Sequence, residues 1–159
     1  MRLLLGLRLV AAAAALAAGA SPAGACVAGS ALVMFDAGSA ELGPEAQGIL
    51  DAAASSFLGQ GGSGRYRLIG HSDRAGSAAA NLRLSRRRAE AVRDYLAAHG
   101  IPLGLMDVAA AGEAGLPVAT PDGAAEPRNR FVEVRPLPGG EDGARRDAEI
   151  RSGRPIPVC

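Results

Sequence analysis

Tryptophan is absent from this chain, and aromatic residues make up only 3% of its 159 residues, so a core must be built mainly from aliphatic side chains. Cysteine and histidine are scarce as well. The two of each, Cys26, Cys159, His71 and His99, give no metal-ligand spacing. Neither sign of charge dominates: 17 basic residues stand against 16 acidic ones, and a net charge of +1 creates no global field to draw the chain to nucleic acid or anionic lipid. Long apolar runs are also missing. The run from Leu9 to Ala18 covers about ten residues, half of the roughly 20 that a membrane-spanning helix needs. What is present, 48% hydrophobic and 21% charged residues, suffices for one compact domain whose electrostatic recognition is local.

That short run follows Arg2 and Arg8 and precedes Ser21-Pro22 and Ala23-Gly24-Ala25, the pattern of a secretory signal over residues 1–25. The mature chain is then expected to begin near Cys26. In an exported chain Cys26 and Cys159 are expected to form a disulfide. Closing so long a loop stabilises by about 4 to 5 kcal/mol in the chain-entropy model. Lipidation of Cys26 is the alternative, because small residues precede it as in a lipoprotein processing site. Ala23 stands where such a site prefers Leu. The about six residues between Cys26 and the first strand reach at most about 20 Å.

Glycine and proline punctuate the rest. Ala31 to Phe35 is an apolar run that predicts a strand. Pro44 and Glu45 in a first turn, with Ala46, Ile49, Leu50, Ala53 and Phe57 at helical spacing, predict a helix ended by Gly59. Gly59 to Gly64 fits Gly-x-Gly-x-x-Gly, but it follows a helix and precedes a strand, the reverse of what a dinucleotide site requires. It is read as a connection. Arg65 to Ile69 alternates, with Tyr66 and Leu68 on one face, and predicts a strand ending at Gly70-His71. A helix capped by Ser77 runs to about His99 and stops at Gly100. Asp107 to Ala111 predicts a weaker strand, Gly112 to Arg128 a proline-broken connection, and Arg130 to Arg135 a last strand. Residues 137–159 read as a loose tail. The order predicts an α/β (α+β) sandwich, with helices packed on one face of a small sheet.

Arg88 breaks the pattern of the second helix. At about 100° per residue it falls near the centre of an apolar arc formed by Leu84, Ala91, Val92, Tyr95 and Leu96, whereas Arg83, Arg86 and Arg87 point away. A buried guanidinium costs several kcal/mol unless an anion faces it. The nearest candidate by sequence is Asp73, in the loop leading into the helix.

The run Gly70-His71-Ser72-Asp73, with Gly76, Asn81, Leu84-Ser85 and Arg88-Ala89 at fixed spacing, resembles the OmpA C-terminal-like, peptidoglycan-binding domain family. The resemblance continues at Phe35-Asp36 and at Asn129-Arg130-Phe131-Val132-Glu133-Val134, covers about Ala31 to Pro136, and implies a βαβαβ(β) fold with a mixed sheet over residues 26–136. It also implies that the loops after the first two strands converge on the second helix, and that Asp73 and Arg88 hold the meso-diaminopimelate of the peptidoglycan stem peptide. In that role Arg88 grips the ligand carboxylate through two hydrogen bonds and Asp73 takes the ammonium. Asn81 serves either the same ligand or the start of the helix. Arg130 matches the first arginine of the closing motif, Phe131 replaces the second, and the Ala37-Gly38-Ser39 loop supplies a wall of backbone groups.

The resemblance therefore implies a non-enzymatic, cofactor-free peptidoglycan binder of the periplasm, associated with the cell wall and with an outer-membrane or periplasmic protein as a further partner. Alternatives are an interaction module in which Asp73 and Arg88 pair only with each other, and a murein hydrolase. His71 reads as a strand-end packing residue, because a catalytic base, nucleophile and orienter cannot all face inward from consecutive residues of a strand end. Replacing Asp73 or Arg88 with Ala is expected to abolish binding and leave the fold largely intact.

Overall fold

The computed structural model describes residues 29–62 and 64–137. The expectations for the leader, for Cys26 and Cys159, and for the tail lie outside the described residues. Within them the chain forms β1 (Ala31–Met34), α1 (Pro44–Gly59), β2 (Arg65–His71), α2 (Ala78–Ala98), β3 (Met106–Gly112) and β4 (Phe131–Leu137), with 3-10 turns at Leu103–Leu105 and Pro127–Asn129. No helix among the described residues is long and apolar enough to cross a membrane.

The sheet runs β1-β4-β2-β3 and is mixed: β2 and β3 are parallel, and β4 lies antiparallel to both β1 and β2. Alternation decides which side chains meet the helices. Val33, Tyr66, Leu68, Met106, Val132 and Val134 form the sheet's contribution to the core, to which α1 adds Leu50 and Phe57 and α2 adds Val92 and Leu96. Of the predicted apolar arc, Ala91 and Tyr95 stay half-buried, while Ser85, a polar residue within its span, and Ala89, just past its Leu96 edge, are fully buried.

Strand limits shift from the sequence expectation for local reasons. β1 ends at Met34, yet the Phe35 N–H still donates to the Arg130 carbonyl at 2.9 Å, so the pairing continues one residue further. β4 extends through Pro136 to Leu137. Its pairing with β1 ends at Val134, so the proline sits where one side of the strand needs no ladder partner. β3 is longer than its run of alanines suggested, because pairing with β2 holds it from Met106 onward.

Helix α2 lies unusually close to the sheet. A Cβ at Gly70 would fall 1.9 Å from the Ser85 carbonyl oxygen, and one at Gly112 would fall 3.3 Å from the Leu82 Cα. Ser85 closes the seam: its hydroxyl donates to the Leu82 carbonyl at 2.9 Å and accepts from the Gly112 N–H at 3.1 Å. Two glycines and a serine thus set the height of α2 above the strand ends that carry Asp73.

Candidate functional site

The site is assembled where the end of β2, the loop after β1, the first half of α2 and the entry to β4 meet. Ser77 caps α2 by accepting from the Ala80 N–H, and three turns on, Arg88 enters the core with 0% of its surface exposed. Its guanidinium does not pair with Asp73, which corrects the sequence expectation. Three backbone carbonyls satisfy it instead: Nε donates to Ser39 at 2.8 Å, Nη1 to His71 at 3.0 Å and Nη2 to Asp36 at 2.8 Å. The Phe35 ring lies beneath, 5.2 Å from the guanidinium carbon.

This arrangement follows from the local backbone. Gly38, with φ of 68°, lets the loop after β1 turn back so that the Ser39 N–H donates to the Asp36 carbonyl at 3.3 Å, and both residues then present carbonyls to Arg88. At the end of β2 the register shifts between Gly70 and His71, and the His71 carbonyl completes the cradle. Burial pushes the Arg88 pKa down to about 10; the Asp73 charge opposes this, and the Arg130 and Arg87 charges add to it. The group remains a cation at neutral pH.

Asp73 pairs with Arg130: the guanidinium Nε donates to Oδ2 at 2.6 Å, with the two side chains 9% and 12% exposed. Oδ2 also accepts from the Glu126 N–H at 3.2 Å, whereas Oδ1 accepts no hydrogen bond among the described residues. The connection between β3 and β4 is stitched down nearby. Arg74 pairs with Asp122, and its carbonyl accepts from the Gly123 N–H at 2.9 Å. Asn129 closes the other end by exchanging two hydrogen bonds with the Val118 backbone.

Asn81 is 4% exposed, and its Nδ2 donates to Glu113 Oε1 at 2.8 Å. Asp73, Arg88 and Arg130 are therefore brought together electrostatically, and Asn81 borders them through the Asp73 loop. Glu113 escaped the sequence reading, as did a buried Glu133–Arg135 pair on β4 with its shortest contact at 2.7 Å. An acidic residue just after a strand of small residues carries no periodic signal that would single it out.

His71 behaves as a packing residue. Its ring stacks on Phe131 at 4.4 Å between centroids, and Nδ1–H donates to the Ala114 carbonyl at 3.1 Å. Ser72 donates to the Asp73 carbonyl, so it is not aligned with His71 as nucleophile to base. Among the described residues no group of three or more His, Cys, Asp or Glu side chains could hold a metal ion.

Burial pushes the His71 pKa from about 6.5 to about 4, with the nearby Arg135 charge adding to the effect and the Ala114 bond opposing it. Because the folded value lies below the unfolded one, the unfolded chain binds more protons between these limits. Stability is full above pH 6.5 and falls as the pH drops towards 4, by about 3 kcal/mol at most. Urea midpoints of the protein and of His71→Gln at pH 7 and pH 4.5 measure this. The substitution is expected to flatten the acid slope, and equal slopes would contradict the assignment.

A mixed four-stranded sheet, two helices on one face and a charged cluster at the joined strand ends define an OmpA-like domain. The same fold occurs in the peptidoglycan-associated lipoprotein from Burkholderia pseudomallei, with TM-score 0.61 and 25% identity over 67% of this chain and 89% of that one. It occurs also in the C-terminal domain of Helicobacter pylori MotB, with TM-score 0.59 and 15% identity over 77% of this chain and 95% of that one. Residues 34–130 match the OmpA family model, and the chain belongs to the OmpA family. Outer membrane protein A of Yersinia pseudotuberculosis is 38% identical over 104 residues, 64% of this chain and 29% of that protein. The peptidoglycan-associated lipoprotein of Pseudomonas aeruginosa is 36% identical over 102 residues, 64% of this chain and 59% of that protein. The chain thus matches less than two thirds of the length of either relative.

Proposed function

We propose that this chain is a non-enzymatic domain of the periplasm that binds peptidoglycan non-covalently through the free end of meso-diaminopimelate in the stem peptide. The observation that carries the reading is the Asp73–Arg130 pair set close to the buried Arg88 charge in an OmpA-family chain. The peptidoglycan-associated lipoproteins among its relatives support it.

The free end of meso-diaminopimelate carries an ammonium and a carboxylate on one carbon. Asp73 Oδ1 receives the ammonium beside the bonds already held by Oδ2. Arg130 spends only Nε on Asp73 and offers its Nη groups to the ligand carboxylate. Arg88, fully covered and committed to three carbonyls, acts from beneath as a fixed positive charge that holds both loops in place. That role replaces the two-bond grip expected from the sequence. A stem peptide with lysine in the same position lacks the carboxylate and leaves the Arg130 Nη groups without a matching anion, which sets the discrimination.

Asp73→Asn keeps the side chain's size and removes its charge. Retention on isolated diaminopimelate-type sacculi is expected to fall by about 30-fold or more, with a urea midpoint lowered because the nearly buried Arg130 loses its anion, and with binding compared under conditions where both proteins are folded. Undiminished retention by this variant would remove Asp73 from the site.

A further inference from the structure

We infer that Glu113 is a positioning residue that fixes the amide of Asn81, so that Asn81 presents its carbonyl oxygen, and not its NH2 group, to the ammonium of the ligand. The inference rests on the reading of the site given above and assigns a residue to its selectivity. Asn81 lies in the first turns of α2 and is 4% exposed, so its amide must find partners inside the protein. Glu113 follows β3 directly, in a turn closed by the Ala114 N–H on the Ala111 carbonyl at 3.0 Å.

A carboxylate only accepts hydrogen bonds. The contact of 2.8 Å between Glu113 Oε1 and Asn81 Nδ2 therefore has one allowed polarity, with the amide donating. Rotating the amide by half a turn would set its oxygen against the carboxylate. With Nδ2 held towards the end of β3, Oδ1 faces the loop that follows Asp73: a Cβ at Gly76 would lie 4.0 Å from it. Asn81 Oδ1, from the start of α2, and Asp73 Oδ1, from the strand end, are then acceptors on either side of that loop, suited to an ammonium with three donors and unsuited to a second carboxylate.

A glutamine side chain can donate or accept, so Glu113→Gln frees the Asn81 amide to turn either way. Affinity for meso-diaminopimelate, measured by titration calorimetry on the whole chain, is expected to fall about tenfold, a loss of about 1.4 kcal/mol. The preference for meso-diaminopimelate over pimelate, which lacks the amino groups, is expected to shrink with it. The double variant N81D/E113Q restores a defined polarity: the introduced amide donates to one oxygen of the introduced carboxylate, whose other oxygen faces the ligand. It is expected to recover both affinity and preference. Urea unfolding of each variant separates this from a loss of fold.

Unchanged affinity in E113Q, or loss of affinity that N81D/E113Q does not repair while remaining folded, would overturn the inference and leave the proposed function standing. Failure of the unsubstituted protein to bind meso-diaminopimelate would overturn both.

Discussion

Arg88→Ala is expected to lose about 3 to 5 kcal/mol of folding stability as well as binding. From the sequence this substitution is expected to spare the fold; the carbonyl cradle changes that. Removing the guanidinium takes the side-chain donor from the carbonyls of Ser39 and His71 and leaves Asp36 with only its bond from the Ser39 N–H, and a buried acceptor without a donor costs about 1 to 3 kcal/mol unless water reaches it. Against a total stability of about 5 to 15 kcal/mol for a domain, this is a large share. The measurement is a urea midpoint that falls with an unchanged slope. Arg88→Lys retains the charge but not the fork of donors and is expected to recover only part of the loss. An Ala variant as stable as the parent would show that the cradle contributes nothing.

Gly70→Ala is expected to be worse, by more than about 4 kcal/mol. The added Cβ meets the Ser85 carbonyl oxygen at 1.9 Å and its carbon at 2.7 Å, and these are helix backbone atoms that no rotamer change can move. Relief requires α2 to lift off β2, which takes Arg88 away from the His71 carbonyl. Gly48→Ala is the control. That glycine lies inside α1 with nothing within 4 Å of a new Cβ, so the substitution is expected to stabilise by about 0.5 to 1 kcal/mol through helix propensity. Thermal or urea unfolding of both variants decides, and a Gly70→Ala protein with parental stability would contradict the close approach of helix and strand.

These two residues mark what could and could not be read from the chain. Arg88 stands out because a charge inside an apolar arc violates helical patterning, and its burial follows from that. Its partners do not stand out, because backbone carbonyls carry no residue identity. The pairing of Asp73 with Arg88 fails for the same reason: with Arg88 satisfied by the cradle, the carboxylate is available to Arg130, 57 positions along the chain. The small residues of β3 give only a weak strand signal, yet their size is what permits α2 to approach at Gly112. Glu113 and the Glu133–Arg135 pair have no local pattern to reveal them, since each depends on contacts made by the fold. The element order and the helix limits, by contrast, follow directly from periodicity, Pro44, Ser77 and Gly100.

The most direct measurement is displacement of the protein from diaminopimelate-type sacculi by free meso-diaminopimelate, with Nα-acetyl-lysine amide as the matched competitor, whose blocked α groups leave an ammonium with no carboxylate beside it. The account predicts graded release by meso-diaminopimelate and none by the blocked lysine at the same concentration. Retention that meso-diaminopimelate leaves unchanged, or equal release by both compounds, would contradict it.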